Sequence, residues 1–383
     1  MSKQGKLPTD PYKGVRDFYP EDQAFLNYLF ATMRDVSHRF GYEEYSASIL
    51  EPSELYKSKC SENEEIINEQ TYSFRDRGDR EVTLRPEMTP TIARMVAARR
   101  REMGFPLRLF SIPNVFRYER PQRGRLREHW QFNADIFGSR SAHADAEIIS
   151  LAATMIEAFG GHERDYVIKL GSRNFLDSVI KNSGLSPEQG TKLVNILDRK
   201  GKMAREEFER EIDLLGVAIE TLSPDSVPPD VAEVLEILNA MGIQNAEFDP
   251  SIVRGFDYYT GVVFEIYDTH KDNNRAMFGG GRYDNLLKMF DDEVVPGVGF
   301  GMGDVTIRDF LEVRGLMPDY MPQTKLYLAS ISPEVAVEAM RIADELRSQG
   351  VTVAVDFGEK KLGDQIKTAS KHKIPYLMVV GEE

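Results

Sequence analysis

The sequence predicts an α+β fold in which an antiparallel sheet is flanked by helices, carries a helical insertion and is followed by a smaller α/β domain. Two consecutive strand patterns, at 107–119 and 130–137, predict an antiparallel pair within the sheet. Residues 166–250 are charged, poor in glycine and helical in their apolar spacing, which predicts the insertion. Residues 325–383 alternate as βαβαβ, which predicts a parallel sheet.

The N-terminal region begins with an amphipathic helix predicted over residues 20–40. Its apolar positions recur at helical spacing and are Phe25, Leu29, Met33, Val36 and Phe40. Gly41 ends the helix, and a strand is predicted over 42–50. Pro52 ends this strand, because proline cannot continue a ladder. The polar, acidic residues 61–70 that follow are interpreted as a helix or a loop.

Short strands and two further helices complete the main domain. Residues 71–74 and 81–84 predict two strands around a turn, and residues 144–159 predict a helix. Strands return over 251–267, and the glycines of 297–303 lead into a helix from Asp304. The predicted parts are 1–165 and 251–315 for the main domain, 166–250 for the insertion, 316–324 for a linker and 325–383 for the C-terminal domain. Because the last pattern stops after its third strand, we expect that domain to be incomplete.

Composition limits the classes of function. The chain has 383 residues with 62 acidic and 48 basic side chains, a net charge of −14 that taken alone argues weakly against a nucleic-acid partner. Its one cysteine, Cys60, excludes an internal disulfide and fits a reducing compartment. No run approaches the ~20 apolar residues of a membrane span, so we expect a soluble, cytoplasmic protein. The basic charge that does cluster is arginine, within 94–127, and guanidinium forks suit phosphate.

Two neighbouring strands present a mixed set of polar side chains. Because side chains alternate along a strand, Arg117 and Glu119 are predicted on one face, as are Gln131, Asn133 and Asp135. An arginine, an amide and two carboxylates on one surface could hold an amino acid beside a nucleotide phosphate. The competing interpretation is a solvent-exposed polar face of an antiparallel sheet.

These residues resemble the class II aminoacyl-tRNA synthetases, whose second motif is an Arg-x-Glu strand, a variable loop and a returning strand. The segment 253–261, Val-Arg-Gly-Phe-Asp-Tyr-Tyr-Thr-Gly, resembles the signature of the histidyl-tRNA synthetases and their paralogues. Residues 84–89 and 279–284 resemble the amino-acid loop and the glycine-rich wall of the same pocket, and residues 13–17 extend the match towards the N-terminus. The resemblance therefore implies an enzyme that joins histidine to its tRNA using ATP.

The resemblance also implies roles for individual residues. Arg117 and Arg254 would be catalytic, because histidine's carboxylate must attack the α-phosphate of ATP and two anions repel each other. The implied histidine-binding residues are Glu87, Thr89, Gln131, Asp135, Tyr258 and Tyr259. The implied ATP-binding residues are Arg117, Glu119, Arg125, Phe132, Arg254, Gly301 and Gly303, with Glu119 also a candidate Mg²⁺ ligand.

The remaining partners follow from the same resemblance. Gln122, Arg123 and Arg127 would meet the acceptor end of tRNA, where backbone-positioning arginines belong. The C-terminal α/β domain resembles the family's anticodon-binding domain. The first helix and strand correspond to the family's dimer interface, so a homodimer is expected.

The third class II motif departs from the family pattern. Its glycines are kept over 297–303, but Thr306 stands where the family has an arginine that stacks on adenine. Arg308 lies two residues later, about 200° around a helix and therefore on the wrong face. This departure favours an alternative, the regulatory paralogue of ATP phosphoribosyltransferase, whereas Arg254 and the anticodon-like domain favour the synthetase. A module that only binds tRNA would be expected to lose Glu87 or Arg117, and both are present.

Overall fold

The computed structural model describes residues 7–57, 70–122, 124–200, 203–222, 226–254, 258–273, 275–290, 292–357 and 360–381. The chain forms two compact units, Met1–Met317 and Pro318–Glu383. The first contains the large sheet and the helices that cover it, and the second contains a small parallel sheet.

The α-helices of the described residues are numbered in chain order. They are α1 Pro20–Arg39, α2 Glu54–Lys57, α3 Thr89–Arg99, α4 Ala142–Ala158, α5 Arg173–Asn182, α6 Pro187–Arg199, α7 Arg205–Leu214, α8 Pro229–Ala240, α9 Asp304–Arg314, α10 Ala336–Ser348 and α11 Leu362–Lys371. The helices predicted near residues 20, 144 and 304 are thus confirmed as α1, α4 and α9.

The strands of the described residues are numbered in the same way. They are β1 Glu43–Glu44, β2 Leu50–Pro52, β3 Tyr72–Arg75, β4 Glu81–Leu84, β5 Leu107–Ser111, β6 Asn114–Phe116, β7 Glu128–Phe137, β8 Tyr166–Ser172, β9 Ala246–Phe248, β10 Val262–Asp268, β11 Ala276–Arg282, β12 Gly297–Gly303, β13 Leu326–Ser330, β14 Val353–Val355 and β15 Tyr376–Val380.

The large sheet is mostly antiparallel, as predicted. Within the described residues its order is β1-β5-β7-β12-β11-β10-β8-β9, and β6 pairs with the outer part of β7. Only the two outermost pairs, β1 with β5 and β8 with β9, are parallel. A separate antiparallel sheet has the order β2-β4-β3, and the C-terminal sheet has the parallel order β14-β13-β15. The predicted βαβαβ pattern is confirmed in that last sheet.

One face of the large sheet is covered by helices, and the buried apolar side chains between this face and the helices form the main core. The apolar stripe of α1, which includes Leu29, Met33 and Val36, is buried in the same cluster as α4. Helix α4 is buried almost all round because it lies between the sheet and α1 and α8, and its alanines allow that close packing. Each fully buried aliphatic side chain of this layer stabilises the fold by about 1.5–3 kcal/mol.

Three predicted strands differ from the structure. The strand predicted over 107–119 is split because Pro113 has no N–H for the ladder. The strand predicted over 42–50 is reduced to β1, and Pro52 lies in β2, at the edge of its sheet, where proline is tolerated. In the strand predicted over 251–267, the described residues 251–254 and 258–261 are not in a strand, and pairing starts at Val262.

The predicted helical insertion begins and ends in strands. Residues 166–172 form β8, which pairs with β10, and β9 pairs with β8 in turn. Tyr166, Ile168 and Leu170 are buried in the main core. The high proportion of charged residues in 166–250 as a whole hides these apolar strand positions in the sequence. Between these strands, α5, α6 and α7 form a core of their own, whereas α8 packs on α4.

Candidate active site

One face of the large sheet carries glycines, which have no side chain, on β11 and β12. Along β12, Gly299 and Gly301 face the same side, and a Cβ on Gly299 would lie 2.2 Å from Oδ1 of Asp135. On β11, a Cβ on Gly279 would lie 2.2 Å from the carbonyl oxygen of Phe264. Because a Cβ at Gly299 or Gly279 would clash with its neighbours and Gly301 also has none, the middle of the sheet has an open surface on the side away from the main core.

Strand β7 supplies the polar floor of this open surface. Its register pairs Asp135 with Gly299, Asn133 with Gly301 and Gln131 with Gly303. The three polar side chains therefore share one face, as the alternation of the strand predicts. They line a concave cavity on this face of the sheet, and small-molecule sites in proteins are concave.

Most of the predicted residues are brought together in this cavity. Those that line it are Glu87, Thr89, Arg117, Gln131, Asp135, Arg254, Tyr258, Tyr259 and Gly301. The other lining residues, which were not individually assigned as site residues from the sequence, are Asn133, Gly279, Tyr283, Gly299 and Phe300. Tyr283 could have been identified from the sequence, because it belongs to the segment 279–284 that resembles the family's glycine-rich wall.

A carboxyl and a phenol meet at the closed end of the cavity. The hydroxyl of Tyr283 donates a hydrogen bond to Oδ1 of Asp135, and both side chains are almost completely buried. Burial raises the pKa of Asp135 to about 7, although the hydrogen bond from Tyr283 opposes this shift. Asp135 is therefore a group that changes charge near neutral pH.

Two adjacent tyrosines and the loop before α3 form one wall. The rings of Tyr258 and Tyr259 lie 4.7 Å apart, and the Tyr258 hydroxyl donates to Oε2 of Glu87 at 3.3 Å. Burial raises the pKa of Tyr258 well above its usual value, and the nearby charge of Glu87 adds to the shift. Thr89 is the first residue of α3, so the helix fixes its position in the cavity.

Two guanidinium groups line the same cavity. Nε of Arg117 donates to the carbonyl oxygen of Pro86 at 2.9 Å, which ties the end of β6 to the loop that carries Glu87. Nη1 of Arg254 donates to Oε1 of Glu265 at 2.9 Å. His129, the next residue outward from Gln131 on the same face of β7, has its pKa lowered to about 3 by burial and by the charges of Arg117 and Arg16. A cavity with two fixed cations opposite two carboxyls can bind an amino acid next to a phosphate.

Comparison with known proteins gives sequence matches along almost the whole chain. The sequence model of histidyl-tRNA synthetase matches residues 14–223 and 218–304, and that of the anticodon binding domain matches residues 325–383. A histidine–tRNA ligase of Leptospira biflexa is 41% identical, with 100% of this chain and 92% of the relative covered. The chain belongs to the histidyl-tRNA synthetase family.

Solved structures of the family share the fold. A histidyl-tRNA synthetase from a Nostoc species superimposes with a TM-score of 0.78 at 21% identity, covering 98% of this chain and 92% of that one. A Bacillus halodurans protein described as an ATP phosphoribosyltransferase regulatory subunit/histidyl-tRNA synthetase gives a TM-score of 0.77 at 22% identity, covering 99% and 100%. At such identities these likenesses concern the fold alone. Relatives that match nearly the whole chain at 41% and 37% identity are histidine–tRNA ligases, so the regulatory alternative is less supported than the synthetase. None of the helices in the described ranges combines the length and apolarity of a membrane span.

Phe132, which was predicted to bind ATP, does not line the cavity. It is completely buried and stacks between Phe110 and Phe300 in the main core. The physical reason is the period of the strand, because a residue between Gln131 and Asn133 must point to the opposite face.

Arg127 is not the exposed tRNA contact that the family resemblance implied. It is 9% exposed, its guanidinium lies 4.1 Å from the centre of the Tyr118 ring, and its Nε donates to the carbonyl oxygen of Glu119 at 3.1 Å. Its Nη1 donates to the Tyr12 hydroxyl at 3.1 Å. Arg127 therefore joins the N-terminal segment to the loop after β6.

The other predicted loop residues lie outside the cavity lining. Glu119 is half-buried and pairs with the exposed Arg125 at 3.4 Å, and Gln122 is exposed. Gly303 is the last residue of β12 and follows the lining residue Gly301 on the same face of the strand. Arg123 lies outside the described residues. No group of three or more acidic, histidine or cysteine side chains suited to a metal occurs in the part of the chain that the structure describes.

The third motif shows what its departure does to the structure. The Thr306 hydroxyl donates to the carbonyl oxygen of Gly303 at 3.1 Å and adds no positive charge. Arg308 points to the neighbouring helix instead, where it pairs with Asp22 at 3.1 Å and lies 5.4 Å from the Phe25 ring centre. The helical geometry predicted from the sequence is therefore confirmed.

Proposed function

We propose that the cavity over β7, β11 and β12 is where histidine and ATP react, and that Arg117 and Arg254 are its catalytic residues. The reaction of the family has two steps: histidine and ATP give histidyl-adenylate and pyrophosphate, and histidine then passes to the 3′ end of its tRNA. The observation that carries the assignment is that both guanidinium groups line one cavity with Glu87 and Asp135.

In the first step an oxygen of histidine's carboxylate bonds to the α-phosphorus while the bond to the pyrophosphate oxygen breaks. Arg117 and Arg254 stabilise the charge on the α-phosphate oxygens during this exchange. Because the two side chains are fixed by Pro86 and Glu265, little reorganisation is needed at the moment of reaction. Gly301 leaves room for the reacting groups beside Gln131.

Histidine itself is bound by charge at one end and by its ring at the other. Glu87, Thr89 and Gln131 bind the α-ammonium group, and Asp135 and Tyr259 bind the two imidazole nitrogens. Tyr258 supports Glu87 through its hydroxyl. A carboxyl at one nitrogen and a phenol at the other distinguish imidazole from a benzene ring or an amide.

The remaining assignments concern ATP, Mg²⁺ and tRNA. Glu119 and Arg125 belong to the ATP end, where Glu119 would hold Mg²⁺ and the ion would supply positive charge to offset that of the phosphate tail. A lone half-buried carboxylate fits that mode, since Mg²⁺ is usually held by one or two carboxylates plus substrate phosphates. Gln122 and Arg123 contact the acceptor end of tRNA, the C-terminal unit binds the anticodon, and the enzyme works as a homodimer in the cytoplasm.

Histidine-dependent exchange between ATP and pyrophosphate tests the first step, and charging of tRNA tests the second. We expect exchange that requires histidine and Mg²⁺, is lost in Arg117→Ala and Arg254→Ala, and persists in Arg308→Ala. A chain that binds histidine without any exchange would support the regulatory paralogue and would refute this proposal.

A further inference from the structure

Arg254 occupies an unusual backbone position in a segment without regular structure. Its φ of 56° lies in the left-handed region, which residues with a Cβ rarely adopt. The preceding residue, Val253, is buried and anchors the chain on that side. The surrounding contacts therefore fix a conformation that the residue alone disfavours.

The guanidinium of Arg254 uses only part of its bonding capacity within the protein. Nη1 donates to Oε1 of Glu265 at 2.9 Å, and Nη2 approaches the carbonyl oxygen of Gly279 at 3.5 Å. Nε is buried and has no hydrogen-bond partner among the described residues. Each Nη atom carries two N–H donors, and Glu265 and the Gly279 carbonyl use only part of them, so N–H groups remain for a ligand in the cavity that Arg254 lines.

Both oxygens of the Glu265 carboxylate are engaged. Arg254 binds Oε1, and the hydroxyl of Tyr267 donates to Oε2 at 2.7 Å. Glu265 and Tyr267 are two residues apart on β10 and so share one face. Held at both oxygens, the carboxylate cannot rotate without losing a hydrogen bond.

Residues on the two neighbouring strands lie close to both side chains. Gly279 is paired with Glu265 in the sheet, and a Cβ there would lie 3.2 Å from Cγ of Glu265. The ammonium of Lys169 lies 5.5 Å from the centre of the Tyr267 ring and pairs with Asp249 at 2.9 Å. The pair on β10 is thus supported from the strands on both sides.

We infer that Glu265 and Tyr267 are positioning residues for adenylate formation, which act by aiming the Arg254 guanidinium at the α-phosphate. The inference rests on the proposed catalytic role of Arg254. An acidic residue beside a phosphate site weakens the positive field, so Glu265 does not contribute through its charge. Its contribution is to orient Arg254: one fixed contact leaves the remaining N–H donors directed into the cavity.

The test compares kcat and KM of histidine-dependent exchange for Glu265→Ala, Glu265→Gln and Tyr267→Phe. We expect Glu265→Ala to lower kcat by about 30- to 100-fold with the KM for histidine changed less than about threefold. Glu265→Gln keeps an acceptor for Arg254 and should recover activity to within about fivefold of wild type, and Tyr267→Phe should lose about three- to tenfold. Glu247→Gln, an exposed carboxylate on β9, is the matched control and should remain within about twofold.

A double-mutant cycle separates this inference from the role of Arg254. If Glu265 acts through Arg254, adding Glu265→Ala to Arg254→Ala should change kcat by less than about twofold. Loss of activity in Arg254→Ala together with full kcat in Glu265→Ala would overturn the inference alone, whereas near-normal activity in Arg254→Ala would overturn the catalytic assignment. Should Glu265→Ala fail to fold, Tyr267→Phe decides: an unchanged kcat contradicts the inference, and a reduced kcat at constant KM supports it.

Discussion

Replacing Arg254 by alanine is the most direct perturbation of the proposed chemistry. The side chain is 19% exposed, so its charge acts on a phosphate with little screening by water. Removing one preorganised donor from a developing oxyanion costs about 2.7–4 kcal/mol. Arg254 offers a charge and several donors, so we expect the upper end, about 4 kcal/mol or a thousandfold in the adenylation rate.

The variant also leaves Glu265, itself 16% exposed, without its cation. Breaking a largely buried pair by removing one partner costs about 3–5 kcal/mol of unfolding free energy, so thermal unfolding has to be measured beside activity. Arg254→Ala combined with Glu265→Gln removes the uncompensated charge and should regain stability without regaining exchange. The backbone strain at position 254 is common to arginine and alanine and does not confuse the comparison.

Histidine-dependent ATP–pyrophosphate exchange gives the rate, and calorimetric titration with histidine gives the binding affinity. Histidine affinity should change far less than the rate, because the proposed contacts to histidine come from other residues. Retention of more than about a tenth of the wild-type exchange rate, a loss of only roughly 1.4 kcal/mol, would refute the role of Arg254 at the α-phosphate.

Three other substitutions test the geometry of the site. Arg308→Ala should raise the KM for ATP less than about fivefold, because Arg308 pairs with Asp22 and Glu312 away from the cavity; an effect as large as that of Arg117→Ala would contradict this. Gly299→Ala would bring a Cβ to 2.2 Å from Asp135 Oδ1 and 2.6 Å from the Ala134 carbonyl oxygen, so the KM for histidine should rise at least about 30-fold, whereas Gly104→Ala, with nothing within 4 Å, should be neutral. Burial raises the pKa of Asp135 from 3.8 to about 7 in the folded chain, so its contribution to stability is complete below about pH 4 and is lost as the pH rises towards 7. The unfolding free energy of wild type relative to Asp135→Asn should therefore fall by on the order of 1 kcal/mol per pH unit between pH 5 and 7, and a flat difference would show that Asp135 titrates normally.

Local periodicity in the sequence determined much of this protein. It predicted α1, α4, the βαβαβ pattern of the C-terminal unit and the shared face of Gln131, Asn133 and Asp135, because helical and strand periods depend only on near neighbours. The same alternation excludes Phe132 from that face, so its assignment to ATP was an error of reasoning from the sequence. Family resemblance added the site residues from distant segments, and nine of them line one cavity.

Tertiary structure alone decided register, burial and the partners of charged groups. The pairing of Gly299 with Asp135 creates the cavity, but the two residues are far apart in sequence and no local signal specifies their alignment. The contact of Arg254 with Glu265 depends likewise on how an irregular segment crosses a strand. Arg127 resembles an exposed loop arginine in the sequence, and only the fold of the N-terminal segment over it makes it a buried structural residue. Each of these features depends on contacts between segments that meet only in the folded chain, which a periodic pattern does not encode.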